Sequence, residues 1–450
     1  MTTQLPRQVS LREALRFWLQ LGFISFGGPA GQIAIMHREL VEKRRWISEK
    51  RFLHALNFCM VLPGPEAQQL ATYLGWLMHR TWGGVVAGTL FVLPSLLLLI
   101  ALSWIYMAFG QLPIVAGIFY GIKPAVAAIV LHALHRIASK SLGHPLKVPV
   151  PWAVAGMSFI AVWAFDIPFP WVVLTALLLG AVLARVAPSA LGKAGGHASK
   201  ASNENQAALI DDDTPTPPHA QFKASRLALV LTVGAVLWLL PMALLLTMFG
   251  WQGTLTQIGW FFTKAALLTF GGAYAVLPYV NQAAVEHYQW LTTAQMMDGL
   301  ALGETTPGPL IIIVAFVGFV SSWGQAVLGP DMLFLGAALG ACVATWFTFL
   351  PSFIFILAGG PWVESTRGNL KLTAPLAAVT AAVVGVIANL ALFFIAAVAR
   401  PLGANGPTDW VAIGLVLAAG FALWRLKWGV IQVIAASAGI GLALRLLGWA

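Results

Sequence analysis

The sequence predicts an all-α, polytopic membrane protein built from two homologous halves, and three observations carry that prediction. Of the 450 residues, 59% are apolar and 9% are charged, where a soluble domain averages roughly 25% charged. Uncharged runs extend over residues 84–109, 227–249, 333–358 and 374–399, each at or beyond the roughly 20 residues that a helix needs to span the hydrocarbon core. The chain also repeats itself at an offset of 244 residues. The first two observations exclude a soluble enzyme. The 44 glycines and 26 prolines further predict broken helices, which a bilayer admits where the freed backbone groups are buried in protein or line a wet cavity.

Lys and Arg number 26 against 16 Asp and Glu, a formal net charge of +10. The basic residues sit in short loops between apolar runs, the pattern that orients membrane helices, so no nucleic-acid partner is expected. Arg7, Arg12 and Arg16 precede an apolar run that Gly27-Gly28-Pro29 interrupts. No small-residue cleavage pattern closes that run, so no signal peptide is expected. Cys59 and Cys342 lie inside apolar segments without a CxxC pattern, and His132 and His135 form a lone pair beside Arg136. Neither set makes a disulfide framework or a metal site, and no cofactor is implied.

From Pro188 to Ser225 the hydropathy collapses into Gly, Ser, Asn, Asp and Pro, the composition of a flexible linker. It divides an N-terminal repeat (1–187) from a C-terminal repeat (226–450). Phe26-Gly27-Gly28 aligns with Phe270-Gly271-Gly272, Trp46 with Trp290, and Pro63-Gly64-Pro65 with Pro307-Gly308-Pro309, with ten of forty positions identical over residues 26–65. After an insertion, Leu93-Pro94-Ser95 matches Leu350-Pro351-Ser352, and Pro124 matches Pro375.

Charge sets the expected orientation of the copies. Residues 36–80 contain Arg38, Lys43, Arg44, Arg45, Lys50, Arg51 and Arg80, whereas residues 280–324 contain no Lys or Arg. Loops rich in Lys and Arg stay on the cytoplasmic side, so the halves are expected to be inverted, as in many secondary transporters. Where both broken segments of a half return to the face they entered, nine of the thirteen apolar segments are true crossings.

The breaks are the candidate functional residues. Gly27, Gly28 and Pro29, with Gly271 and Gly272, supply backbone that a ligand approaches closely, and a helix restarting at mid-membrane offers free N–H groups to an anion. Pro63, Gly64 and Pro65, with Pro307, Gly308 and Pro309, make a sharper break, because the first proline stops one half-helix and the second pre-sets the next. Paired Gly/Pro interruptions are the best sequence pointer to a transporter's binding site. Glu66 opens the half-helix after the first break and Glu304 precedes the second. An intramembrane carboxylate is by default a proton-relay candidate, although a first-turn carboxylate such as Glu66 also satisfies the helix dipole. Gln68, Gln69, Thr72 and Tyr73, with Thr305 and Thr306, offer neutral donors, against the plainer reading of ordinary interhelical hydrogen bonds. Lys123 and Lys264 read as counter-charges or as snorkelling side chains. The basic run His37 to Arg51, including Arg38, reads as a topological anchor first and an anion funnel second.

The FGGP segment, the basic loop with Trp46, the run Leu62 to Gly75, and the second-half runs Thr269 to Pro278 and Leu302 to Leu310 together resemble the chromate ion transporter superfamily in its long two-domain form. The resemblance spans the chain apart from the linker and extreme termini. It implies a multi-pass carrier in the bacterial inner membrane that expels chromate using the proton motive force and so confers chromate resistance. Its matching motif positions here are Phe26, Gly27, Gly28, Pro29, Arg38, Trp46, Pro63, Gly64, Pro65, Glu66 and Tyr73, then Gly271, Gly272, Pro278, Trp290, Glu304, Pro307, Gly308 and Pro309. The second half has Ala273 where the first has Pro29, which assigns more of the substrate contact to the first half. The residues themselves specify only a small anion. A sulfate or other oxyanion carrier and an anion channel stand as alternatives, with chromate or sulfate, protons and the lipid bilayer as partners. An internal repeat makes a homodimer unnecessary without forbidding one.

Overall fold

Glycine and proline punctuate the apolar runs, and at the repeated breaks a helix ends and restarts. The computed structural model describes residues 9–26, 28–187, 208–211, 214–215, 217–270, 273–365, 373–403 and 406–448. The first half holds α1 (Leu11–Ile24), α2 (Gly28–His37), a π-helical turn (Arg38–Lys43), α3 (Glu49–Val61), α4 (Glu66–Phe109), α5 (Pro113–Ser141), α6 (Pro149–Phe165) and α7 (Phe169–Val186). α8 (Ala224–Phe249) follows. The second half holds α9 (Thr254–Leu268), α10 (Ala273–Asn281), a second π-helical turn (Gln282–His287), α11 (Thr293–Thr305), α12 (Ile313–Gly324), α13 (Leu333–Ser365), α14 (Thr373–Ala399), α15 (Trp410–Trp424) and α16 (Val430–Leu446). The protein is an all-α, multi-pass membrane protein. Among the described residues, six helices are long and apolar enough to cross a bilayer, and α6, α15 and α16 are shorter apolar helices. Leu231, Leu239, Leu240 and Leu244 of α8, with Trp163 and Trp171, are exposed, a surface that suits lipid rather than water.

Local chemistry sets the boundaries. Ser10 and Ser48 cap α1 and α3 by accepting the N–H groups of Glu13 and Arg51, each at 3.3 Å. Thr292 and Gln295 cap α11 reciprocally at 3.2 and 2.9 Å, the capping-box arrangement. Pro113 and Pro149 occupy first turns, where their missing N–H is not needed.

The second-half elements repeat the first in order. The second π-helical turn lies 244 positions after the first at both ends (38 to 282, 43 to 287), and α11 lies 244 after α3 (49 to 293, 61 to 305). Among the described residues, the six non-glycine residues with positive φ fall into corresponding pairs: Arg45 with Gln289, Arg80 with Ala326, and Asp166 with Lys427. Among the described residues, α8 has no first-half counterpart.

Each broken segment folds back on itself. The Trp46 ring lies 5.2 Å from Phe17 in the middle of α1, and in the second half Trp290 lies 6.0 Å from Phe261 in α9. α4 turns sharply at His79 and Arg80, where the His79 ring reaches the Val9 carbonyl at 2.9 Å. Its limbs, residues 66–78 and 81–109, press Gly75 against Gly83, and α12 and α13 press Gly318 against Gly340. No side chain fits between those backbones. The last three helices of each half are exchanged between the halves: α5 packs on α15 and α16, while α14 packs on α6 and α7. Linker residues also dock on the first half, where Ile210 accepts the Ser48 N–H at 3.0 Å and the His219 ring meets the Trp76 carbonyl at 3.0 Å.

Candidate functional site

The hairpin tips of the two halves meet. The Gly64 N–H donates to the Thr269 carbonyl and the Gly308 N–H to the Ser25 carbonyl, both at 2.8 Å. Gly64 and Gly308 are repeat partners, and so are Ser25 and Thr269, so the two bonds exchange under a two-fold relation. The long helices complete the exchange. The Ser95 hydroxyl donates to the Pro307 carbonyl, and Ser352 stands in the space where a side chain at Gly64 would go, as Ser95 does at Gly308. Both glycines have positive φ, +123° and +98°, which side-chain-bearing residues rarely adopt. Gln69 Nε2 donates to the Pro63 carbonyl at 2.7 Å and reaches Ser352 Oγ at 3.4 Å. Gln32 Nε2 donates to the carbonyls of Gly308 and Ser25.

This hydrogen bonding leaves a particular electrostatic remainder. A chain that stops and restarts a helix presents spare carbonyls on one side of the break and spare N–H groups on the other. Here the carbonyls of Ser25, Pro63, Thr269, Pro307 and Gly308 all accept hydrogen bonds from donors at the tips. The restarting segments have no side-chain caps: Pro65 stands at the N-cap of α4, and Pro309 at that of a 3-10 turn (Leu310–Ile312) that leads into α12. Each helix N-terminus amounts to about +0.5 charge. The locus therefore favours an anion.

Two carboxylates adjoin the breaks in sequence. Glu66, half-buried, opens α4. Glu304, 9% exposed, accepts the Tyr274 hydroxyl at 2.5 Å, and the Arg136 guanidinium lies 5.8 Å from the Tyr274 ring. Two further clusters tie a hairpin of one half to a long helix of the other. Arg51 of α3 pairs with Glu364 of α13 at 2.6 Å, and Tyr73 donates to the same carboxylate at 2.5 Å. Asp298 of α11 accepts the Tyr106 hydroxyl of α4 at 2.9 Å and lies 3.7 Å from Lys123 of α5.

Of the residues singled out in the sequence, Pro63, Gly64, Pro65, Gln69, Pro307, Gly308 and Pro309 come together at the tips. Gly28, with φ +69°, and Pro29 start α2. Gly27, Gly271 and Gly272 lie outside the described residues. Gln68 is bonded to Thr72 at 3.0 Å, and the hydroxyls of Thr305 and Thr306 return to carbonyls of their own helix at 3.0 Å. Tyr73 serves the Arg51–Glu364 pair. Arg38 is largely exposed, 3.7 Å from Glu39. Within the rest of the basic run, Lys43 binds Glu39 at 2.7 Å, His37 binds Glu49 at 2.5 Å, and Arg44 lies over Phe17 and Trp46. Of the two lysines, Lys123 is a counter-charge to Asp298, whereas Lys264 lies over the Trp260 ring. Sequence reading missed Gln32, Arg51, Asp298 and Glu364 as interacting residues. It noted Ser95 and Ser352 only as repeat markers.

Comparison with known proteins gives one family. The sequence model described as "Chromate transporter" matches residues 12–181 and again residues 256–442. A protein of Pseudomonas aeruginosa named "Chromate transport protein" is 33% identical over 454 residues, covering 100% of this chain and 94% of that protein. A protein of the same name from Cupriavidus metallidurans is 30% identical over 378 residues, covering 84% of this chain and 81% of that protein. No solved structure matches significantly.

Proposed function

The chain belongs to the chromate transporter family, and from that premise we propose that it is a secondary active transporter that exports chromate from the cytoplasm across the bacterial inner membrane. It is a transport protein, not an enzyme. The observation that carries the reading is the set of hairpin tips, with carbonyls accepting cross-half donors and helix N-termini free of side-chain caps. A tetrahedral oxyanion needs donors from several directions, and amide groups supply them without a fixed cation that would hold the ion too tightly to leave.

The repeat supplies the alternation. Two halves of one architecture, bonded reciprocally at their tips, are related by a pseudo-two-fold axis, and the charge asymmetry of their loops puts that axis in the membrane plane. The unpaired α8 supports an inverted arrangement. With every broken segment re-entrant, the second limb of α4, α5, α6, α7 and α8 separate the start of one half from the start of the other, an odd set of crossings. Nine crossings then make up the whole protein, divided as 1–187 and 226–450 around the linker 188–225. One chain holds both halves of the site, so a homodimer is not required.

Export of a dianion from a negative-inside cell is downhill by about 4.6 kcal/mol at 100 mV, and exchange for protons adds the pH gradient. Glu304 and Glu66 are the proton-coupling carboxylates of this reading. Glu304→Gln is expected to reduce gradient-driven transport at least tenfold while leaving chromate binding within about twofold, measured by vesicle flux and equilibrium dialysis. Unchanged driven transport in both Glu304→Gln and Glu66→Gln would remove them from the mechanism.

The test of the function is uptake of labelled chromate into everted membrane vesicles. Saturable accumulation that a protonophore collapses is expected, with sulfate, of the same shape and charge, as a weaker competitor. Non-saturating flux indifferent to the gradient would mean a channel, and stronger competition by sulfate than by chromate itself would make sulfate the substrate.

A further inference from the structure

Away from the hairpin tips, a cavity of about 550 Å³ opens between α5, α11, α14 and α15. Its polar lining is Tyr120, Lys123, Thr293, Arg400 and Asp409, set in a wall of apolar residues such as Met297. The one acidic residue in the lining is committed elsewhere. Asp409 caps α15 by accepting the Ala412 N–H at 2.8 Å and takes the Tyr120 hydroxyl at 2.9 and 3.1 Å. Lys123 is held loosely, 3.7 Å from Asp298 Oδ2, an oxygen that already accepts from Tyr106. Asp298 is 2% exposed, and its other oxygen, Oδ1, has no hydrogen-bond partner. The cavity thus has two cationic side chains, the Thr293 hydroxyl and a low-polarity wall, conditions in which a charge–charge interaction is much stronger than in water. It also lies in line with the tips: Asp298 stands on the same helix as Glu304, about 9 Å along its axis at 1.5 Å per residue.

We infer that this cavity is a second oxyanion-binding subsite, with Lys123 and Arg400 as its cationic walls and Asp298 as the carboxylate that competes with the oxyanion for Lys123. It is the vestibule on the side of the tips away from the basic loop, where an ion released from the centre is held before it leaves. The choice of oxyanion as ligand rests on the transport reading above. The competition gives the subsite a signature, since its two charged variants act in opposite directions.

The experiment is equilibrium dialysis of labelled chromate against the purified full chain in uncharged detergent. Two bound ions per chain are expected for the unaltered protein. Lys123→Gln is expected to lose one of them, by at least a tenfold weakening, and to keep the other, which also reports that the variant is folded. Asp298→Asn is expected to tighten the Lys123-dependent ion severalfold. One ion per chain, or two that survive Lys123→Gln with Arg400→Gln, overturns the subsite while leaving the transport reading intact; no bound chromate at all overturns both. Repeating the measurement with phosphatidylglycerol added separates a free oxyanion from a lipid phosphate. Loss of the second ion alone to the lipid would make a headgroup the occupant and contradict the inference.

Discussion

Gly308→Ala is expected to abolish chromate transport, and Gly64→Ala to do nearly the same. At Gly308 an added Cβ stands 3.0 Å from the Ser95 Cβ and 3.4 Å from the Phe91 carbonyl oxygen, while φ is +98°. A non-glycine residue in such a region costs about 1–3 kcal/mol, and the contact with α4 forces apart the tips that carry the reciprocal bonds. At Gly64, φ is +123° and the Cβ meets Ser352 and, at 2.7 Å, Gln69 Nε2. Gln69 and Ser352 end in atoms that can turn aside, so this variant is the milder of the two. Transport should fall at least tenfold in vesicles that hold normal amounts of protein. Gly156→Ala is the matched control, because nothing lies within 4 Å of its Cβ and alanine favours the helix by up to about 1 kcal/mol. Full transport by Gly308→Ala would mean that the tips are not the site.

Glu364→Ala should produce the largest loss of stability. The Arg51 and Glu364 side chains are 5% and 1% exposed, and they meet at 2.6 Å between a hairpin of one half and a long helix of the other. Removing one partner of a buried pair leaves the other charge unpaired, at a cost of about 3–5 kcal/mol. Arg51→Met with Glu364→Met is expected to recover much of that loss, since an apolar pair of similar size carries no desolvation penalty. Tyr73→Phe removes one hydrogen bond to the carboxylate and should cost about 1.5–3 kcal/mol. Thermal unfolding in detergent ranks the variants; an unchanged midpoint for Glu364→Ala would mean that the pair contributes nothing to holding the halves together.

The architecture was legible where the chain cannot choose its backbone. Pro63-Gly64-Pro65 and Pro307-Gly308-Pro309 are forced to break a helix, so their repeat announced both the duplication and the place where the halves meet. The paired turns at Arg45 and Gln289 were not legible, because an arginine and a glutamine share no local signal for positive φ. Long-range partners were hidden for a different reason. Arg51 and Glu364 are 313 positions apart, and nothing in one apolar segment states which other segment will lie against it. The basic run also misleads when read as charge alone. Glu39, Glu42 and Glu49 are interleaved with it, and Lys43 and His37 are held by Glu39 and Glu49, so part of the run is tied down within the loop. Lys123 and Lys264 look alike in sequence, and only the fold distinguishes a lysine that faces Asp298 from one that lies over a tryptophan.

Alternating access of the proposed kind needs two halves that enter the membrane from opposite faces and meet at their tips. Its most direct test is the accessibility of Arg80→Cys and Gln295→Cys, each in a chain lacking Cys59 and Cys342, to an impermeant thiol reagent in sealed everted vesicles and in right-side-out ones. Arg80 lies at the sharp turn within α4, and Gln295 lies in the first turn of α11. The account predicts labelling at Arg80→Cys only in everted vesicles and at Gln295→Cys only in right-side-out vesicles. Labelling of both positions from the same side would contradict it.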